Sequence, residues 1–217
     1  MGKDSKLEIL YLNSIDSTHT YLQEYIKLNG YKHPIAIFTS YQLSGVGSRD
    51  NKWLGKKDNF YLSFVIKKND LPLDLPIHSS SIYFSFLLKE ILTDMKSKIW
   101  LKWPNDFYIE GKKIGGTITL LKGDLIYCGI GLNLTTINSS FGYLDIDVDA
   151  KELLKLYFST LNKYPSWKQV FSKYLIEFNL SKNYLTTIDD IKVSLKDSIL
   201  NDDGSLLINN KKVFSLR

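Results

Sequence analysis

The pentapeptide Lys102-Trp103-Pro104-Asn105-Asp106 gathers a cation, an amide and a carboxylate around a rigid proline. It follows an apolar stretch, Ile99 to Leu101, and precedes a predicted hairpin, Phe107 to Ile114. Proline donates no ladder hydrogen bond, so the string makes a poor strand interior and a sensible site at a strand end. Lysine supplies a compact positive charge for a carboxylate or a phosphate. Asn105 and Asp106 offer oxygens to a nucleotide or to Mg²⁺, which makes Asp106 a candidate metal contact.

Three other segments carry polar or glycine-rich patterns. Ser17-Thr18-His19 opens a predicted helix, where free N–H groups and hydroxyls suit a polar ligand. Plain helix capping explains the same residues, and His19 has no second ligand at metal spacing. The loop Gln42 to Trp53 holds Gly45 and Gly47, which permit close backbone approach. Arg49 and Lys52 suit phosphates, and Trp53 offers a flat face for a ring. No Gly-Lys-Ser/Thr follows, so it is not a Walker loop. In Cys128-Gly129-Ile130-Gly131-Leu132-Asn133, glycines alternate in an apolar strand. Glycine weakens a strand unless something must come close.

The elements that position these segments follow from periodicity. Glu8–Leu12, Ile35–Thr39 and Phe60–Ile66 read as strands. Tyr21, Leu22, Tyr25 and Ile26 mark a helix that Gly30 stops, with Asp16 or Ser17 as its cap. Ile82, Tyr83, Phe86, Leu87 and Ile91 mark a second, with Ser79 to Ser81 as cap candidates. Ile99–Trp103, Ile114–Leu121 and Leu125–Leu134 are predicted strands, turned at Glu110-Gly111 and Lys122-Gly123-Asp124. Two more helical stripes, Leu153 to Leu161 and Trp167 to Phe178, are separated by Pro165. From Ile188 short strands return, with Asp203-Gly204 and Asn209-Asn210 as hairpin signals. The expectation is an α+β body to residue 181 and a β-rich tail over 182–217.

Composition bounds the rest. The chain has 217 residues, 44% hydrophobic and 24% charged, which excludes disorder. Its net charge is +5 and its pI near 9.0. Lysines are scattered rather than clustered, so we read a solvated surface, not a nucleic-acid site. The single cysteine, Cys128, excludes an internal disulfide and a CxxC metal site. No N-terminal apolar core and no stretch of roughly 18 apolar residues occurs, so neither a signal peptide nor a membrane span is expected. The predicted setting is the cytoplasm.

Taken in order, the four segments resemble the catalytic domain of biotin–protein ligases, over roughly residues 8 to 181. The resemblance rests on Lys102 to Asp106, the Gln42-x-x-Gly45-x-Gly47 loop ending in Trp53, Lys113-x-x-Gly116, and Gly129-x-Gly131-x-Asn133. It implies a mixed, largely antiparallel sheet with helices packed on it, of the class II synthetase-like kind, and a reduced SH3-like unit at 182–217. With no DNA-binding helix-turn-helix ahead of the first strand, it points to the non-repressor class.

The implied chemistry has two half-reactions: ATP and biotin form biotinyl-5′-adenylate, and a lysine of a biotin carboxyl carrier protein or domain then takes the biotin. The resemblance implies Lys102 as the catalytic cation. It implies Ser17, Thr18, His19, Gln42, Gly45, Val46, Gly47, Ser48, Lys102 and Gly116 around biotin. It implies Arg49, Asn51, Trp53, Asn105, Asp106 and Asn133 around ATP, with Mg²⁺ on the phosphates and Asp106 near it. The family's loop usually reads Gly-Arg-Gly-Arg-x-Gly-Arg, whereas Gly45 to Asn51 here keeps one basic residue, Arg49. The family's Ser-Thr-Asn is Ser17-Thr18-His19 here. A loop with fewer charged clamps is expected to release adenylate more readily. Three alternatives stand beside this reading: a lipoate–protein ligase, a noncatalytic biotin- or nucleotide-binding module, and, on charge alone, a nucleic-acid binder. Neither DNA nor a membrane is an expected partner, and oligomeric state, a homodimer included, stays open.

Overall fold

The computed structural model describes residues 7–47, 52–53, 55–136 and 141–214. Its centre is a seven-stranded sheet in the order β1-β2-β5-β9-β8-β7-β6. The strands are β1 (Glu8–Leu12), β2 (Ile35–Thr39), β5 (Phe60–Lys67), β6 (Trp100–Lys102), β7 (Asp106–Ile109), β8 (Lys112–Lys122) and β9 (Leu125–Leu132). β1 runs parallel to β2 because a helix, α1 (Thr18–Asn29), crosses over between them. Every other neighbouring pair is antiparallel, so the sheet is mixed and largely antiparallel, as expected.

Side-chain alternation sorts the two faces. On one, Val65 and Tyr127 pack with Leu22 and Ile26 of α1. On the other, Phe64, Ile126, Cys128 and Ile130 pack with α2 (Ser80–Asp94) and α3 (Ala150–Leu161). Phe64 meets Phe84 of α2 and Phe158 of α3 edge-on, at 5.1 and 5.6 Å between ring centroids. Cys128 is fully buried there, and burial raises its thiol pKa well above the ordinary range.

α4 (Trp167–Ser181) guards the sheet edge. It begins with a capping box, Ser166 and Gln169 each accepting from the other's backbone N–H, a motif whose cap contributes about 1 kcal/mol. Two of its side chains then take hydrogen bonds from edge strand β6 and the residue that follows it: Leu101 N–H donates to Glu177 Oε1 (2.6 Å) and Trp103 N–H to Ser181 Oγ (3.1 Å). Burial raises the pKa of Glu177, while its ion pair with Lys89 works against that rise.

The tail forms a hairpin, β10 (Leu185–Ile188) with β11 (Ile191–Ser194), and a three-stranded sheet, β12 (Ile199–Leu200), β13 (Leu206–Ile208) and β14 (Lys211–Val213). Asn209 and Asn210 turn the last pair at φ 48 and 60, the left-handed geometry that a two-residue hairpin requires. Leu195, Leu200, Leu206, Ile208 and Val213 belong to the same apolar cluster as the body. The turn before β13 reaches furthest in. The Trp103 indole N–H donates to the Gly204 carbonyl (3.1 Å), and that of Trp167 to Asp202 (2.7 Å). Ser79, a cap candidate from sequence, makes no side-chain capping bond; its hydroxyl donates to the Asp203 carbonyl at 2.6 Å. The predicted loop from Gln42 to Trp53 contains a short ladder, β3 (Gly45–Val46) with β4 (Lys52–Trp53).

Candidate active site

Strand register builds the site. One row of paired residues runs across five strands: Tyr61 with Gly131, Gly131 with Gly116, Gly116 with Asp106, and Asp106 with Lys102. A second row places Gly129 between Ser63 and Ile118. Where neighbouring strands would raise a ridge of side chains, Gly131, Gly116 and Gly129 leave a trough. The N-terminus of α1 closes its far side, giving a cleft of about 210 Å³.

At one end lies a polar cluster. Ser17 caps α1 through its hydroxyl, which accepts from Thr20 N–H at 3.3 Å. Thr18 N–H and hydroxyl both reach Gln42 Oε1, at 2.9 and 3.2 Å, and the same hydroxyl shares a 2.9 Å hydrogen bond with Ser63. Gln42 is brought there by backbone pairing beside Ile15, with Leu43 N–H donating to Ile15 O and Ser44 N–H to Asp16 O, both at 2.9 Å. Gly55 closes behind it, where an added Cβ would sit 1.7 Å from the Gln42 carbonyl oxygen.

At the other end lies a charge cluster. Lys113 Nζ stands 2.6 Å from one oxygen of Asp106, and Lys102 Nζ 3.6 Å from the other. Lys113 and Asp106 line the cleft. Lys102 stands one register position further out, buried, with its ammonium 5.3 Å from the centre of the Tyr108 ring. Burial lowers the Lys102 pKa; the Asp106 carboxylate opposes that, and Lys113 adds to it. Asn105 lines the cleft and donates its amide to the Thr117 carbonyl. The Trp103–Pro104 peptide between these residues is cis.

The sequence-predicted residues divide as follows. Ser17, Thr18, His19, Gln42, Gly47, Asn105, Asp106 and Gly116 line one cleft. Gly45 and Val46 pair with Trp53 and Lys52 through their backbones beside it. Ser48, Arg49 and Asn51 lie outside the described residues. Asn133 is buried below the cleft, where its amide donates to the Gly142 carbonyl at 3.1 Å and its backbone ties Ile114 to Leu144. Both oxygens of Asp106 face ammonium groups, Lys113 on one and Lys102 on the other. No set of three His, Cys, Asp or Glu among the described residues is placed to hold a metal. Sequence reasoning assigned no role to Tyr61, Ser63 or Lys113. The Lys113-x-x-Gly116 spacing held the signal for Lys113; nothing local marked the other two.

Comparison with known proteins agrees with this architecture. The family described as Biotin/lipoate A/B protein ligase family matches residues 11–133, more than half of the chain. The chain therefore belongs to that family. Its fold superposes on a crystal structure of biotin acetyl coenzyme A carboxylase synthetase from Helicobacter pylori with bound biotinylated ATP. The TM-score is 0.91 and the identity 36%, over 96% of this chain and 100% of that one. The biotin protein ligase of Aquifex aeolicus, in complex with biotin and ATP, shares the fold at TM-score 0.72 and 23% identity, over 97% and 96% of the two chains. The bifunctional ligase/repressor BirA of Escherichia coli (strain K12) is 29% identical over 133 residues, 58% of this chain. The chain spans about 40% of the length of that curated relative. No helix among the described residues is long and apolar enough to cross a membrane.

Proposed function

We propose that this chain is an ATP-dependent biotin–protein ligase. It makes biotinyl-5′-adenylate and transfers biotin to a lysine of a carrier domain. The observation that supports this best is the likeness, over essentially both chain lengths, to the Helicobacter pylori synthetase crystallised with biotinylated ATP.

The trough suits the reaction. The polar ring of biotin sits at the Thr18–Gln42 end and its carboxylate points along the glycine floor toward Lys113 and Lys102. ATP enters as its magnesium complex. Two anions must meet for a carboxylate oxygen to attack the α-phosphorus, and pyrophosphate leaves as the new P–O bond forms. Lys102 and Lys113 oppose the repulsion between those anions and stabilise charge developing at phosphorus. Their fixed partner, Asp106, holds both ammonium groups in place beforehand, so little reorganisation is needed at the moment of reaction. In the second step the acceptor amine attacks the mixed-anhydride carbonyl and AMP departs, the amine proton passing to solvent.

The test is biotin-dependent exchange of pyrophosphate into ATP. Exchange that requires biotin supports the reading; exchange driven equally by lipoate moves it to a lipoate ligase, and no exchange with either acid removes the adenylating function.

A further inference from the structure

β6 is the last strand of its sheet, paired with β7 on one side. Backbone N–H groups point alternately to the two sides of a strand, so those of Leu101 and Trp103 share the side away from β7. Side chains of α4 receive them there: Glu177 Oε1 at 2.6 Å and Ser181 Oγ at 3.1 Å. Four residues of a helix rise about 6 Å, close to the roughly 6.6 Å between alternate residues of a strand. One turn of α4 thus stands in for a missing strand, and the residue its two bonds bracket is Lys102. Glu177 is itself fixed from behind. Its other oxygen pairs with Lys89 of α2, which is 7% exposed and also lies 3.3 Å from Glu90. A desolvated carboxylate is a costly way to cover a sheet edge, and it needs its partner to offset that cost.

We propose that Glu177 is a positioning residue for Lys102, anchoring the backbone beside the reactive ammonium through Leu101 N–H, with Ser181 as a second anchor on Trp103 N–H. This deepens the ligase reading and rests on it. The contacts form a continuous chain: α2 carries Lys89, Lys89 holds Glu177, and Glu177 holds the strand one residue before Lys102. The Trp103 N–H belongs to the peptide that leaves Lys102, so the two bonds fix both flanks of that residue. A hydrogen bond to a carboxylate is about twice as strong as a neutral one, which makes Leu101 the firmer anchor. On the inner side β7 does the same work, since Asp106 pairs with Lys102 in register and faces its ammonium at 3.6 Å. The strand is therefore held from both edges at the residue whose side chain must meet the reacting anions. Removing the outer anchor shifts that ammonium without deleting a group that touches substrate. A misplacement of about 1 Å at a reacting group can cost about 10²-fold in rate. Binding at the Thr18–Gln42 end of the cleft does not depend on it.

The experiment measures biotin-dependent pyrophosphate exchange, with melting temperature as the check on folding. It compares Lys89→Met/Glu177→Gln with Lys89→Met/Glu177→Leu. Both doubles lose the two charges, and only the first keeps an acceptor for Leu101 N–H. The Gln double is expected to keep most of the wild-type kcat and the Leu double to lose about tenfold or more, each with KM for biotin and for ATP unchanged. Ser181→Ala is expected to lower kcat by less, again at constant KM. Added to Lys102→Ala, the Leu double is expected to cost nothing further, because the group it positions is gone. Equal kcat in the two folded doubles overturns the proposal, as does a loss expressed in KM or one that persists in full beside Lys102→Ala. If the Leu double does not fold, Ser181→Ala decides, and a wild-type kcat in that variant overturns the proposal. Wild-type protein without biotin-dependent exchange overturns the functional reading and the proposal with it.

Discussion

Lys113 places its ammonium 2.6 Å from Asp106, closer than Lys102, which approaches the opposite oxygen at 3.6 Å. One carboxylate thus spaces two cations that would otherwise repel each other. Lys102→Ala is expected to fold with an unchanged melting temperature and to lose adenylate formation by about 10²-fold or more, since the lost charge acts mainly on the transition state. Lys113→Ala is expected to lose less. Pyrophosphate exchange by Lys102→Ala at wild-type rate would remove Lys102 from the chemistry.

Asp106→Asn separates the spacer role from a metal role. With both oxygens already committed to lysines, the carboxylate has little to offer Mg²⁺. The variant is therefore expected to slow adenylation while leaving the Mg²⁺ concentration for half-maximal rate unchanged. A several-fold rise in that concentration would show that Asp106 binds the metal after all.

Thr18→Val keeps shape and deletes the hydroxyl that reaches Gln42 Oε1 and Ser63 Oγ. Leaving those buried groups short of a partner costs roughly 1–3 kcal/mol. Thermal denaturation with and without biotin measures it: the apo protein is expected to melt lower, and KM for biotin to rise more than kcat falls. An unaltered KM would mean that the cluster serves the fold alone.

His19 sets a pH dependence. Its folded pKa, about 4, lies below the unfolded value of 6.5, so the stability it contributes is fully present above pH 6.5 and is lost as pH falls toward 4. Gly129 of β9 lies beneath the ring, burial is the larger cause of the shift, and the charge it feels is that of Lys122. Wild-type stability is expected to decline over that interval more steeply than that of His19→Asn. Parallel curves for the two proteins, measured by denaturant titration from pH 7 to 4, would contradict this.

Much of the site was legible because it is written locally. The Lys102–Asp106 string, the Gln42 loop and the alternating Gly129 and Gly131 each announce themselves within a few residues. The register was not: that Gly131 meets Gly116, and Gly116 meets Asp106, is a long-range pairing that no local pattern specifies. For the same reason Ser63 and Tyr61 looked like ordinary strand residues, and Ser79 looked like a helix cap until Asp203 arrived from the tail. The four helices and the hairpin at Asn209-Asn210 were readable because period and turn chemistry are short-range properties. The two-residue ladder of Gly45–Val46 with Lys52–Trp53 was not, being too short to show a period.

Gly204 joins the tail to the reactive segment. It sits at φ 79, and an added Cβ would meet Ser79 Oγ at 2.3 Å. Gly204→Ala is expected to lower stability by about 1–3 kcal/mol through that strain. Trp103→Phe tests the link more gently, deleting only the indole N–H that holds the Gly204 carbonyl. It is expected to reduce kcat about tenfold or more at constant substrate affinity, as a small misplacement of Lys102 would. An unchanged kcat in a folded Trp103→Phe would show that the tail does not position the lysine.

That same contact imposes an order of events on biosynthesis. Trp103 and its acceptor are 101 residues apart in the chain. At a translation rate of about 5–20 residues per second, the reactive segment waits roughly 5–20 s for the turn that completes it. During that wait the indole and the apolar surface beneath Leu195, Leu206 and Val213 lie open. A nascent chain therefore stays open to chaperone or protease capture at that surface until β12 to β14 emerge.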